Sequence, residues 1–338
     1  MKKHENQIQV NELSEATKVS MKTRIITAIV GLLIIVPLFV LGDWFFFALA
    51  LVATGIAMYE IVKCGKGNYS VLLYILTILV GLLIVSWPLI QNLINKFSSS
   101  NGHVFDYYSS IFLSLPLLFI SICLLFLTVI MHSNFTVKDG TYIITMVIIV
   151  SLGVESLLFV RYFPSVIADP SVHSPWFNFF DNFASCSFAT YGILGTFFTD
   201  IGAYFIGVFF GKHKLNERIS PKKTVEGFYG GIFISAVFSA AFAFILAATG
   251  HPILPGVFDL VHWYNIVIMS FLMPFFATLG DFVFSAVKRV YEIKDFGNLL
   301  PGHGGILDRV DSVVFVFTAL ALYTLLFYGI SSGAGLLI

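Results

Sequence analysis

Three aspartates, Asp281, Asp308 and Asp311, are the residues of this chain best suited to chemistry. Asp281, Ser285 and Lys288 fall on one helix face at about 100° per residue. A helical run from Asp281 to Lys288 covers about 10 Å, so Asp281 lies that far in from the end that Lys288 marks. A polar stretch follows: Lys294-Asp295-Phe296-Gly297-Asn298-Leu299-Leu300-Pro301-Gly302-His303-Gly304-Gly305. A second helix then starts with Ile306-Leu307-Asp308-Arg309-Val310-Asp311-Ser312, and Asp308 and Asp311 share one side of it. The expectation is that these carboxylates converge at one mouth. Such a cluster repels itself unless a cation joins it, and hard oxygen ligands suit Mg²⁺. The turn His303-Gly304-Gly305 offers backbone N–H groups at a helix start, where the helix dipole also favours an anion. Lys288, Arg289, Lys294 and Arg309 add positive charge. Carboxylates for a metal beside basic and N–H groups for phosphate are the parts of a metal-dependent phosphoryl or nucleotidyl transfer site.

A second polar block begins at Asp200 and ends in Ile219-Ser220-Pro221-Lys222-Lys223-Thr224-Val225-Glu226-Gly227. Its hydroxyls and ammonium groups, notably Ser220, Lys223 and Thr224, sit before a helix start and are anion-binding groups. Asp200 and Glu226 are additional candidates for this site. Two further acids lie within apolar runs, where an ionisable residue costs at least about 2.5–3.5 kcal/mol. Glu60, near the end of its run, is expected to reach the membrane interface. Glu155, mid-run and without an obvious partner in sequence, is open between a structural hydrogen bond and a site role.

The elements that must position these residues are membrane helices. The 338 residues are 58% hydrophobic and 11% charged, and mean hydropathy is +0.91. Soluble chains are roughly 45–50% apolar and about 25% charged. That excludes a soluble or disordered protein, and the balance of 19 basic and 19 acidic residues argues against nucleic-acid binding. Cys64, Cys123 and Cys186 are scattered and form no CxxC pair, so they are read as packing residues. Nine runs approach the roughly 20 residues that a bilayer requires. They cover 23–41, 44–62, 71–93, 110–131, 141–161, 188–210, 228–249, 263–287 and 309–330.

The expected fold is an all-α polytopic integral membrane protein with about nine transmembrane helices. With the N-terminus cytoplasmic and the C-terminus external, 17 of the 19 basic residues fall on the inner side, leaving Lys96 and Arg161 outside. The chain divides into a polar tail (1–22), N-terminal membrane helices with an outer loop (23–187) and a C-terminal catalytic region (188–338). The tail is expected to be flexible, and outer loops are expected at 94–109 and 162–187. Gly42-Asp43 should make a tight hairpin between the first two spans.

The block Ser285-Ala-Val-Lys288-Arg289, then Lys294-Asp295, then Pro301-Gly-His303-Gly304-Gly305-Ile-Leu-Asp308-Arg309-Val-Asp311-Ser312 resembles the signature of the phosphatidate cytidylyltransferases, or CDP-diacylglycerol synthases. Ala203-Tyr204, Gly211-Lys212, Ser220-Pro221-Lys222-Lys223-Thr224 and Lys22-Thr23-Arg24-Ile25 are similar to further family segments. Two positions depart from the pattern: Val208 stands where many members carry a basic residue, and Asn216-Glu217-Arg218 lacks a common proline. The resemblance implies that CTP and phosphatidic acid give CDP-diacylglycerol and pyrophosphate at the cytoplasmic face of a bacterial inner membrane. It also implies that Asp281, Asp308 and Asp311 are metal-site acids, and that Lys223, Ser285, Lys288 and Arg309 contact phosphate. The partners it implies are CTP, phosphatidic acid and the bilayer; a homodimer and a second cation beside Mg²⁺ stay open. A CTP-using polyprenol kinase and a secondary transporter are the alternatives.

Overall fold

A computed structural model of the chain describes residues 15–65, 67, 69–98, 119–127, 135–168 and 182–331. The described residues are mostly helical: α1 (Glu15–Leu41), α2 (Asp43–Cys64), α3 (Val71–Ser98), α4 (119–127), α5 (Val137–Ala168), α6 (Asn182–Phe210), α7 (Val225–Ala248), α8 (Trp263–Val290) and α9 (Leu307–Ser331). Helices are what such apolar runs must form, because a bilayer offers no partner for a free backbone N–H or C=O. Among the described residues, seven helices are long and apolar enough to cross a membrane: all except α3 and α4. Seven of the nine expected spans thus stand among the described residues. The third run appears as a shorter apolar stretch, Val71–Trp87, and the fourth is described only over 119–127.

Other expectations change in detail. Gly42, with φ 66°, alone separates α1 from α2, so the predicted hairpin forms. The outer loop expected at 162–187 is cut at both ends, because α5 continues to Ala168 and α6 starts at Asn182. The tail expected at 1–22 is helical from Glu15, where α1 starts, and its residues 1–14 lie outside the described residues. The loop expected at 94–109 is helical as far as Ser98 and beyond that lies outside them.

The all-α expectation misses one element. Strands β1 (Lys214–Asn216) and β2 (Ser220–Thr224) pair antiparallel, with Lys214 opposite Thr224 and Asn216 opposite Ser220. This hairpin links α6 to α7, which pack closely along their length. Gly231 makes that approach feasible, since a Cβ there would lie 2.8 Å from the Thr199 carbonyl oxygen on α6. Ser235 Oγ donates to the Gly195 carbonyl at 2.7 Å across the same seam.

Two cores flank the site. One gathers Met58, Ile61, Val147, Val150 and Phe284 around α2, α3 and α5. The other gathers Tyr191, Phe258, Ile266, Met273 and Phe317 around α6, α8 and α9. Tyr191 ties this second core, its hydroxyl bonded to the Ile266 carbonyl (3.0 Å) and to Ser270 (2.8 Å). Between the cores, the start of α1, the end of α2, the end of α6, the hairpin, the end of α8 and the start of α9 meet at one end of the bundle. Thr27 Oγ1 donates to the Pro301 carbonyl, and Tyr142 on α5 donates to the Ile61 carbonyl.

Candidate active site

Helix α8 holds its predicted face. Ser285 Oγ donates to Asp281 Oδ1 at 3.2 Å, one turn apart. Lys223, on β2, forms an ion pair with Asp281 Oδ2 and lies over the Phe282 ring. Arg289 Nε donates to the Ile219 carbonyl at 3.1 Å. The hairpin is thus fastened to α8 at two points.

Asp308 has a different environment. Its Oδ1 accepts from Lys288 Nζ at 2.9 Å. Its Oδ2 accepts from the backbone N–H groups of Phe296 (2.8 Å) and Gly305 (3.0 Å). An acid in the first turn that reaches back to a preceding N–H is the logic of a capping box. Phe296 is buried, packs edge-on against Phe284 and lies under Lys288. Asp308 therefore closes the loop onto α9. The three expected carboxylates do not converge as a group. Asp281 instead lies within electrostatic reach of Asp311 and Asp200. Helices α8 and α9 nearly touch at this level: a Cβ on Gly280 would lie 2.5 Å from the Asp311 carbonyl oxygen. Among the described residues, no group of three or more His, Cys, Asp or Glu side chains is arranged to hold a metal by itself.

The glycine turn also differs from expectation. Gly302 (φ 77°) and Gly304 (φ 87°) fold it tightly, and His303 and Gly304 N–H donate to the Leu300 carbonyl. The Gly305 N–H is held by Asp308. Glu60, from α2, takes the N–H groups of Ile306 (3.1 Å) and Leu307 (2.9 Å). These are the backbone donors expected to cradle phosphate, and in this arrangement they are engaged internally. Glu60 is 3% exposed, so it does not reach the interface as expected. Arg309 donates twice to the His303 carbonyl (3.0 and 2.6 Å). The His303 Nδ1 is buried without a hydrogen-bond partner.

A cavity of about 380 Å³ opens beside the acids. Asp200, Tyr204 and Val208 of α6 line it with Lys222, Lys223 and Thr224 of β2, Phe228 of α7 and Thr278 of α8. Its lining is mostly apolar, with Asp200, Lys222 and Lys223 as the charged members. Thr224 also caps α7, its side chain accepting from the Gly227 N–H at 3.1 Å. Of the remaining candidates, Ser220 pairs with Asn216 in the hairpin and Lys294 is exposed. Glu226 does not line the cavity; it ties the hairpin entry, accepting from Lys212 and His213 N–H. Sequence reading missed Tyr204, Phe228 and Thr278 as lining residues, because each has an unremarkable place in an apolar run.

The family model described as the cytidylyltransferase family matches residues 22–327, which takes in every group of this site. The chain belongs to that family. Curated relatives agree along nearly their whole length. A phosphatidate cytidylyltransferase of Bacillus subtilis (strain 168) is 31% identical over 309 residues, 91% of this chain and 99% of the relative. Those of Staphylococcus haemolyticus (strain JCSC1435) and Staphylococcus aureus (strain N315) are 32% and 30% identical, each covering 89% of this chain and 97% of the relative. The resemblance drawn from Ser285–Ser312 is borne out by a likeness that spans the bundle.

Proposed function

We propose that this protein transfers the cytidylyl group of CTP to phosphatidic acid, giving CDP-diacylglycerol and pyrophosphate. The observation that carries this reading is the family match from residue 22 to residue 327. In the reaction, a phosphate oxygen of phosphatidate forms a bond to the α-phosphorus of CTP. The bond from that phosphorus to the bridging oxygen breaks, and pyrophosphate leaves. No protein nucleophile is required, since the phosphate supplies one. The obstacle is repulsion between two polyanions, which Lys222, Lys223, Lys288, Arg289 and Arg309 reduce while aligning the attack.

The donor set fits Mg²⁺. Mg²⁺ is usually bound through one or two carboxylates plus substrate phosphates, not in a complete protein cage. Asp281 and Asp311 would hold it, with Asp308 Oδ1 keeping a lone pair beside its Lys288 bond, and Asp200 adding charge. Bound there, the ion would neutralise phosphate charge. Lys223 holds Asp281 in the meantime and can pass to a phosphate when the carboxylate finds a cation. The cavity suits a lipid substrate, with Lys222 and Lys223 for the headgroup and a mostly apolar lining from α6 and α7.

We infer that the active site faces the cytoplasm from a bacterial inner membrane, N-terminus in and C-terminus out. The 17 to 2 distribution of basic residues supports that orientation, and so does the cytosolic location of CTP. The test uses purified protein in phosphatidate-containing micelles with CTP labelled at either end. Label from the α-position should enter the lipid. Entry of γ-label instead would make this a kinase, and neither label entering lipid would overturn the enzyme reading.

A further inference from the structure

We propose that Glu60, on the second helix, is a positioning residue for the catalytic loop: it fixes where α9 begins, and so where Asp308 and Asp311 stand against α8. The effect on turnover rests on the cytidylyl-transfer reading above; the structural role does not.

A helix start leaves its first backbone N–H groups without intrahelical partners, and a nearby Ser, Thr, Asp or Asn normally supplies the acceptor. Here the residues before Leu307 are Gly304, Gly305 and Ile306, none with a side-chain acceptor. Asp308 is already committed to Phe296, Gly305 and Lys288. The donors of Ile306 and Leu307 are met by Glu60, which is 246 and 247 residues distant in sequence. Both of its oxygens are used, one for each N–H. Its charge also suits the positive end of the α9 dipole.

The carboxylate lies in a slot built for it. Gly297 and Gly305 flank it so closely that a Cβ on either would overlap the Glu60 oxygens. Helix α2 packs chiefly on α3 and α5, and this side chain ties it to the start of α9. The loop is therefore gripped at both ends of one turn, by Asp308 from inside and by Glu60 from outside. Reacting groups misplaced by about 1 Å can lose on the order of 10² in rate, and a freed helix start permits a shift of that size.

The experiment compares Glu60→Ala, Glu60→Gln and Gly297→Ala with the parent in micelles, each corrected for the folded fraction. Glu60→Ala should lower kcat on the order of 10²-fold, with the KM for CTP changed less than about threefold. Glu60→Gln keeps one acceptor oxygen and should lose about tenfold, which a side chain merely filling space would not. Gly297→Ala leaves Glu60 in place but displaces its carboxylate. It should reproduce the loss seen with Gln and add nothing in the Glu60→Ala background. Hydrogen exchange over residues 297–310 should quicken in Glu60→Ala while α6 and α7 stay unchanged. Turnover per folded molecule within about twofold of the parent, or unchanged exchange in that segment, overturns the proposal. A parent that transfers no cytidylyl group overturns the functional reading instead, and the exchange measurement then decides Glu60 alone.

Discussion

At the scale of single residues, the site divides into acids at or near the cavity and an acid that builds the loop. Asp200 lines the cavity, Asp281 and Asp311 lie within electrostatic reach of Asp200, and Asp308 builds the loop. Asp311→Asn keeps shape but removes a charge, and cytidylyl transfer should fall at least about 10³-fold; chelating Mg²⁺ should do the same to the parent. Activity that survives chelation would remove the metal from the reaction. Asp308→Asn should also abolish CTP incorporation while the protein still inserts; near-normal turnover would end its proposed metal role. Lys288 and Asp308 have side chains 15% and 4% exposed. Truncating one partner of so buried a pair costs about 3–5 kcal/mol. Lys288→Ala should therefore lower the unfolding temperature in detergent as well as raise the KM for CTP, and an unchanged KM would argue against a nucleotide contact. Helical periodicity made the Asp281–Ser285–Lys288 face legible from sequence. It could not say that Asp308 turns back onto Gly305. Spacing gives the side of a helix, while the choice among competing donors is made by the folded loop.

At the scale of elements, the hairpin carries Lys223 to Asp281 and sets the start of α7. Thr224→Ala should cost about 1 kcal/mol of stability through loss of the cap. Thr224→Ser, which keeps the acceptor oxygen, should not, as thermal unfolding will show. Loss of stability in both would assign the effect to the methyl group, which packs near Gly211. The hairpin was illegible because its strands hold three and five residues and read as Lys-Leu-Asn and Ser-Pro-Lys-Lys-Thr. Such segments are too short and polar for a period-2 pattern to stand out. Most long helices were legible, since twenty apolar residues have few other fates. Glu60 was misread for a different reason: nothing local in α2 records a partner 246 residues away.

At the scale of the whole molecule, one end of the bundle collects the charge. The segments carrying Arg24, Lys63, Lys223, Arg289 and Arg309 meet there, and Arg161 is buried in the bundle, bonded to the Phe39 carbonyl near the end of α1. The orientation has a direct test in a cysteine-free background. Val261→Cys, in the loop between α7 and α8, is 77% exposed at the opposite end. A membrane-impermeant maleimide should label it in intact cells. Asn298→Cys, exposed beside the site, should label only after permeabilisation. The reverse pattern would invert the topology.

The bond from Glu60 to Ile306 also sets a timetable for biogenesis. A ribosome that has delivered Glu60 to the membrane must add 246 residues before the partner exists. At about 5–20 residues per second that takes roughly 12–50 s. Through that interval the nascent N-terminal helices hold a carboxylate with no α9 to receive it. Helix α9, the last of those described, is therefore the one that completes the site, so a chain interrupted before residue 306 leaves an inserted but chemically silent product.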